Sequence, residues 1–142
     1  MNRGGRGDRG EKMSREDLDQ LCTAVLDAAF EVHRQLGPGL LENAYEMALC
    51  HELTLRDLRF ERQKDIHVHY KGINLDCGYR IDVLVEGAVI LELKSCEQLI
   101  PLFDAVLLNY LMLSDVKVGY LINFNVRLLK NGIKRLVHRL PE

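Results

Sequence analysis

The sequence predicts an α/β protein, because helical and extended apolar patterns alternate along the chain. Two amphipathic segments with helical spacing come first, alternating and continuous apolar runs follow, and a third helical segment separates these from further strands. A chain of 142 residues is the usual size of one domain around one hydrophobic core. With 47% hydrophobic and 28% charged residues, the composition is typical of a globular protein and excludes a disordered one.

The domain organisation follows from the same composition. Residues 1–13 are rich in Arg and Gly and are predicted to be a flexible tail, and residues 14–142 are predicted to form a single domain. The chain shows neither the apolar run of a secretory signal nor a stretch long enough to span a membrane, so we expect no export and no membrane contact. The four cysteines form no C-x-x-C pair, which predicts reduced thiols and a cytoplasmic location.

Three segments are predicted to be helices. The first begins at Ser14, which stands in a capping-box-like arrangement, and its apolar residues recur at helical spacing up to Leu36. Residues 37–39, Gly-Pro-Gly, end this helix. The same periodicity predicts a second helix over residues 41–56 and a third over residues 101–113.

The predicted strands rest on a period of two or on continuous apolar runs. Residues 66–70 alternate, whereas residues 88–94 are almost entirely apolar, which indicates a strand buried on both faces. Asn131-Gly132 is a strong two-residue turn signal and predicts a closing hairpin. The element order is then α-α-β-β-β-α-β-β-β, with strands over 66–70, 75–85, 88–94, 116–124, 127–130 and 133–140.

Charge is distributed unevenly. A net charge of −2 and a pI near 6.2 do not indicate a nucleic-acid-binding protein. From Val116 to Pro141, however, the chain has six basic and no acidic residues, which predicts a positive surface. Solvated strand faces explain the same count equally well. The six are Lys117, Arg127, Lys130, Lys134, Arg135 and Arg139.

The candidate chemistry lies in Glu92-Leu93-Lys94. Residues two apart in a strand project from one face, so a carboxylate and an ammonium share that face. Taken alone, a Glu-Lys pair at the solvent end of the strand explains them. Asp82 interrupts the neighbouring predicted strand and brings a second carboxylate close. Two carboxylates suit Mg²⁺ or Mn²⁺, and Lys94 can then stabilise charge on a phosphate or orient an attacking water.

Whether Asp82 shares that face depends on the turn between the two strands. A two-residue turn at Glu86-Gly87 would pair residue 82 with residue 91 and put Asp82 on the face opposite Glu92. The site therefore requires a three-residue turn or a bulge near Asp82, and bulges are common beside active sites.

Four blocks of the sequence, taken in order, resemble the motifs of one known family. They are Gly39-Leu-Leu-Glu-Asn-Ala-Tyr45, Gly78-Tyr-Arg-Ile-Asp82, Glu92-Leu-Lys94 and Gly119-Tyr-Leu-Ile-Asn-Phe-Asn125. The family is the PD-(D/E)XK nuclease superfamily, specifically its small branch named for the motif GxxExxY, and the resemblance runs from Leu26 to Val137. It implies a restriction-endonuclease-like core, with a mixed central sheet of about four strands flanked by helices.

The resemblance also implies an activity, a Mg²⁺- or Mn²⁺-dependent nuclease that hydrolyses DNA or RNA phosphodiester bonds. By this analogy Asp82 and Glu92 bind the metal, the Leu93 carbonyl adds a ligand, and Lys94 serves catalysis. Glu42 on the second helix is a further acidic ligand or holds the water. A Glu in the first turn of a helix also gains from the helix dipole without any function.

Two further residues are candidates for substrate contact. Tyr45 lies on the apolar face of the second helix, where core packing is the main expectation and the hydroxyl is available to touch site groups. Arg80 stands two residues before Asp82 and either contacts a phosphate or forms a surface ion pair.

Two positions depart from the family pattern P-x-H-x-A-Q-L-L, because this chain has Phe103 for the His and Val106 for the Gln. The predicted metal ligands remain, and Asp104 is a polar neighbour that can partly substitute. The departures favour an alternative, a catalytically inactive nuclease-fold module that binds nucleic acid or a protein partner. Metal-dependent hydrolysis unrelated to nucleic acids is a third interpretation, since a fold does not fix a function. A homodimer is left open.

Overall fold

The computed structural model describes residues 13–142. The predicted tail lies outside this range except for Met13, which is buried against the core. The helices are α1 (Arg15–Leu36), α2 (Glu42–Leu55) and α3 (Pro101–Ser114). The strands are β1 (Phe60–Asp65), β2 (Val68–Tyr70), β3 (Ile73–Leu75), β4 (Arg80–Val85), β5 (Val89–Lys94), β6 (Val118–Asn123) and β7 (Ile133–Val137), and a 3₁₀ helix (Leu129–Gly132) precedes β7.

Helix α1 begins and ends where its sequence predicts. The Ser14 hydroxyl accepts a hydrogen bond from the Asp17 N–H over 3.0 Å, which satisfies one of the free donors of the first turn. The helix ends at Gly37, whose φ of 67° is a left-handed conformation that glycine adopts without steric cost. The helices predicted over 41–56 and 101–113 are confirmed as α2 and α3.

The central sheet has five strands in the order β1-β4-β5-β6-β7. All neighbours are antiparallel except β5 and β6, which are parallel. Parallel neighbours need a crossover connection, and α3 supplies it. The α/β architecture with a mixed sheet is therefore confirmed. Strands β2 and β3 form a separate two-stranded sheet.

Helices cover the sheet on both faces. Val83 and Leu91 of the central strands pack into a core shared with α1 and α2. Leu84 and Ile90 project from the other face and pack into a second core with α3, for example with Leu107. Because β5 and β6 are buried on both faces, their sequences are continuous apolar runs, as predicted for strand 88–94.

The predicted closing hairpin is wrong. Residues 129–132 form a 3₁₀ helix instead of a strand and a turn, and β7 pairs with β6. Leu129 is buried in the core at 3% exposure, which a strand of a surface hairpin would not achieve. Gly132 packs so closely on the Asn123 carbonyl that a Cβ would lie 2.3 Å from its oxygen. The glycine thus serves a close approach of two backbones.

The strand prediction also missed β1, which is the fifth strand of a sheet expected to have about four. Its sequence, Phe-Glu-Arg-Gln-Lys-Asp, has one apolar residue, and five of its six residues are exposed. Such a polar strand is typical of a sheet edge, where only one neighbour is present. The strand predicted over residues 66–70 is shorter, since β2 begins at Val68. The strand predicted over residues 75–85 is two strands, because β3 ends at Leu75 and β4 begins at Arg80.

Candidate active site

The turn between β4 and β5 contains three residues. Glu86 and Gly87 adopt left-handed backbone angles, with φ of 54° and 65°, and the Ala88 N–H donates to the Val85 carbonyl over 2.9 Å. Left-handed residues at both positions are typical of tight hairpin turns. Ala88 is then an extra residue, because Val85 pairs with Val89. The three-residue turn that a shared site requires is therefore present.

This register brings Asp82 close to Glu92. The ladder of paired residues ends at Val83 and Leu91, and Asp82 and Glu92 are the next residues along the two strands. The Asp82 N–H donates to Glu92 Oε2 over 2.8 Å, and the Leu93 N–H donates to Asp82 Oδ2 over 2.9 Å. Each carboxylate keeps its second oxygen outside this pair of hydrogen bonds.

Strand β4 is distorted at Asp82. Val83 packs into the core beneath α1 and α2, whereas both Leu84 and Ile81 pack into the core beneath α3, so the alternation of faces breaks between Ile81 and Val83. On the neighbouring strand, Gln63 lies opposite Asp82 and has a φ of 48°. A left-handed residue other than glycine costs about 1–2 kcal/mol, and such strain concentrates at functional sites.

Glu46 of α2 is a third acid at this place, and the sequence analysis missed it. Its side chain is 9% exposed and binds Arg62, whose Nη2 donates over 2.6 Å, while Gln63 Nε2 donates over 2.8 Å. Consecutive strand residues normally point to opposite faces, and the left-handed Gln63 lets both side chains reach one carboxylate. The signal that could have found Glu46 is its spacing of four from Glu42, which puts both on one helix face.

Burial and mutual repulsion perturb the acid pair. Burial, and after it the nearby Asp82 charge, raises the pKa of Glu92 to about 8. Burial also raises the pKa of Asp82, partly offset by the Leu93 N–H. The Glu46 charge acts on both acids in the same direction. Without a cation, the pair therefore retains a proton near neutral pH.

Lys94 is the cation of the site. Its charge lowers the pKa of both Asp82 and Glu92, and its ammonium lies 4.3 Å from the centre of the Phe103 ring. The aromatic residue that replaces the family's His thus holds Lys94 by a cation–π contact. Asp104 does not substitute for that His, because its carboxylate binds Lys134 of β7 over 2.9 Å.

Tyr45 packs in the core beneath α2, which is the first of its two predicted roles, and its contact with substrate stays a prediction. It is fully buried and stacks on Phe124 with ring centres 4.5 Å apart. Its hydroxyl donates to the Gly37 carbonyl over 2.6 Å and accepts from the Leu40 N–H over 3.1 Å. The core-packing role is confirmed, and the hydroxyl fixes the loop that leads into α2.

Glu42 and Arg80 are exposed residues near the acid pair. Glu42 is the first residue of α2, and its charge contributes to raising the pKa of Asp82. Arg80 Nε lies 3.2 Å from Asp65 Oδ1, with both side chains more than half exposed, so it forms the surface ion pair that the sequence offered as one option. The roles of Glu42, the Leu93 carbonyl and Arg80 toward metal or phosphate stay predictions.

The donor set fits Mg²⁺ or Mn²⁺. In residues 13–142, no group of three or more His, Cys, Asp or Glu side chains is spaced to hold a metal ion, which excludes an all-protein cage there. Mg²⁺ is usually bound by one or two carboxylates, keeps several waters and takes its remaining ligands from substrate phosphates. Asp82 and Glu92 provide two such carboxylates, and their raised pKa values are expected of adjacent acids that lack a counter-cation.

Removing the Arg62 guanidinium that pairs with Glu46 is expected to destabilise the fold. Arg62→Met leaves a buried carboxylate beside two other acids, which costs about 3–5 kcal/mol in a fully buried pair. Arg62 is 46% exposed, so water replaces part of the interaction and we expect roughly 1–2 kcal/mol in urea unfolding. Glu46→Gln in the same chain should restore most of this loss. Equal losses in the single and double variants would contradict the pairing.

A comparison of the sequence with models of known families finds a match. The model of the PD-(D/E)XK nuclease superfamily matches residues 19–136, a span that includes all three acids and Lys94. No curated protein and no solved structure matches the chain significantly. The narrower GxxExxY assignment stays a prediction. Among residues 13–142, no helix has the length and apolar character needed to cross a membrane.

Proposed function

The chain belongs to the PD-(D/E)XK nuclease superfamily, and on this premise we propose that it is a Mg²⁺- or Mn²⁺-dependent nuclease that hydrolyses nucleic-acid phosphodiester bonds. The mixed five-stranded sheet between helices is consistent with a restriction-endonuclease-like fold. One observation carries the proposal, namely the two hydrogen bonds that join Asp82 of β4 to Glu92 and Leu93 of β5, with Lys94 two residues beyond Glu92. Membership gives the fold, and this acid pair with its lysine supports the chemistry.

Each residue has a defined task in this proposal. Asp82 and Glu92 would hold the metal, with the Leu93 carbonyl as a further ligand, and Glu42 would hold the attacking water, because no third carboxylate among residues 13–142 is spaced to join the pair on a metal. A bound Mg²⁺ or Mn²⁺ supplies Lewis-acid polarisation of the phosphate and lowers the pKa of the water. Lys94 donates hydrogen bonds to the phosphate oxygens on which negative charge builds up.

The same premise extends to partners and location. DNA or RNA is the proposed partner, and no choice between them follows from the site. The homodimer and the cytoplasmic location stay predictions. Cys22, Cys50, Cys77 and Cys96 are free thiols in the structure, which agrees with the expectation of reduced cysteines.

A catalytically inactive nucleic-acid- or protein-binding module is the rival function. Phe103 favours it, because a ring that cannot donate or accept protons stands where relatives often carry a His. The acid pair and Lys94 argue against it.

A cleavage assay with a metal titration tests the proposal. The protein is incubated with single- and double-stranded DNA and RNA in Mg²⁺, Mn²⁺ or EDTA, and Mn²⁺ binding is measured by calorimetry. We expect metal-dependent cleavage by the wild type, and loss of both cleavage and most Mn²⁺ affinity in Asp82→Asn. Asp19→Asn is the matched control, because Asp19 is an exposed residue of α1 whose carboxylate binds Arg15.

The outcomes separate the two functions. Equal cleavage by the wild type and both variants would indicate a contaminating nuclease and would overturn the proposal. Mn²⁺ binding that depends on Asp82, without cleavage of any substrate, would support the inactive module.

A further inference from the structure

A basic pocket lies between α1 and the segment that joins β6 to β7. Its volume is about 230 Å³. Charged side chains surround a partly apolar floor, and the pocket is separate from the acid pair. Its lining includes Phe30, His33 and Arg34 of α1 and Arg127, Leu128 and Lys130 of the joining segment.

The wall that carries Arg127 and Lys130 is fixed by the core. His33 Nε2 lies 2.7 Å from the Val126 carbonyl oxygen, and since a carbonyl only accepts, Nε2 carries the hydrogen. Leu129, between the two cations, is 3% exposed and packs into the core beneath α1 and α2. The backbone of the segment is therefore held against α1, and the two cations start from defined positions.

The pocket has an excess of positive charge. Arg34 is largely neutralised by Glu31, which accepts from its guanidinium over 2.7 Å. Arg127 and Lys130 are exposed, and neither takes part in a salt bridge among residues 13–142. By contrast, Lys134 of the same basic run binds Asp104. Two unpaired cations beside one pocket favour an anionic ligand.

The pocket lies near Lys94. Strands β5 and β6 are parallel, so their last residues, Lys94 and Asn123, lie side by side at the same end of the sheet. The Phe124 N–H donates to the Lys94 carbonyl over 2.9 Å. Arg127 follows three residues later, and three residues span at most roughly 11 Å. The backbone of Arg127 therefore lies close to the end of β5, and a polynucleotide is long enough to contact both places.

We propose that this basic pocket binds a backbone phosphate of the same polynucleotide whose scissile phosphate lies at Asp82 and Glu92. The inference rests on the proposed function, since it names a second contact of that substrate. A volume of about 230 Å³ is below the roughly 300–1,000 Å³ of pockets that enclose whole small molecules. It suits one phosphate with part of its sugar against the apolar floor, and this contact positions the strand without reading its sequence.

The salt dependence of nucleic-acid binding tests this proposal. Binding of a fluorescein-labelled single-stranded DNA is measured by anisotropy in EDTA at salt concentrations of about 50 to 200 mM. Each phosphate neutralised on a single strand contributes about 0.7 to the slope of log Kobs against log salt concentration. Because the pocket binds one phosphate, we expect Arg127→Gln/Lys130→Gln to reduce the magnitude of that slope by about 0.7.

A double variant at the other end of the strands is the matched control. Lys117→Gln/Arg139→Gln removes the same charge beside the start of β6 and the end of β7, at the opposite end of the sheet from Lys94. We expect its slope to equal that of the wild type. Thermal unfolding checks that both variants are folded.

Five outcomes are decisive. Equal slopes in the pocket variant and the wild type, or equal reductions in both double variants, would overturn the proposal. The proposal would also be overturned if inorganic phosphate at millimolar concentration bound as tightly as the oligonucleotide, because the pocket would then be a site for a free anion. A reduced slope in the pocket variant, with no cleavage by the wild type in Mn²⁺, would support the pocket and show that the proposed activity is wrong. Cleavage by the wild type, with equal slopes in the pocket variant and the wild type, would support the activity and show that the pocket proposal is wrong.

Discussion

Replacing Lys94 by methionine is expected to lower the rate of phosphodiester cleavage by roughly 10²–10³-fold, the usual loss when one preorganised donor to a developing oxyanion is removed. Methionine keeps the length of the side chain, and its thioether packs well on the Phe103 ring that now holds the ammonium. Mn²⁺ affinity should stay the same or rise, because a positive charge felt by both Asp82 and Glu92 is lost.

Single-turnover cleavage and calorimetry measure the two quantities separately. Lys117→Met is the control, since this lysine precedes β6 at the opposite end of the strand from the site and binds Asp115. A cleavage rate within about threefold of the wild type would show that Lys94 is not the donor. A parallel loss of Mn²⁺ affinity would show that the lysine supports the structure of the site and not the reaction.

The elements that the sequence predicted well carry strong local signals. The Ser14 cap and the left-handed Gly37 define α1 through contacts within a few residues. The apolar run of β5 reflects burial on both faces, which is a property of the strand itself. For such elements local and tertiary preferences agree, so a pattern in one stretch of sequence is sufficient.

The elements that were missed depend on distant partners. Strand β1 is polar and exists because its backbone pairs with β4. Asn131-Gly132 has the composition of a hairpin turn, yet the burial of Leu129 and the close approach of Gly132 to Asn123 decide the local structure. Tertiary packing overrides the local turn signal in this segment.

The candidate site shows the same division. The motif residues identified Asp82, Glu92 and Lys94, but the sequence left their common face conditional, because Glu86-Gly87 satisfies a two-residue turn as well as the three-residue turn that forms. Glu46 was missed because an acid within a helix is usually solvent-exposed. Its burial is explained by Arg62 and Gln63 of a strand that the sequence did not reveal.

Glu92→Gln is expected to abolish metal-dependent cleavage and, unusually, to stabilise the metal-free protein at alkaline pH. Glu92 keeps its proton in the fold up to about pH 8, whereas a glutamate in the unfolded chain loses it near pH 4.3. Between these values the folded state binds more protons than the unfolded state, so stability falls as pH rises. Below the window both states are protonated and the difference vanishes. Glutamine is a neutral isostere that avoids this penalty.

Urea unfolding in EDTA at about pH 4 and pH 8.5 measures the effect. We expect the free energies of unfolding of Glu92→Gln and the wild type to be nearly equal at the lower pH. At the higher pH we expect the variant to be more stable by on the order of 3 kcal/mol. The control is Glu61→Gln, at a side chain 57% exposed, which should show no such trend. Added Mn²⁺ should stabilise the wild type and not the Glu92 variant, because only the carboxylate pair binds the cation. A variant less stable than the wild type at pH 8.5 would mean that the ionised Glu92 carboxylate is not penalised in the metal-free fold, so that its pKa there is not raised. The acid pair would then not be destabilised in the metal-free fold, and its relief would not contribute to metal affinity.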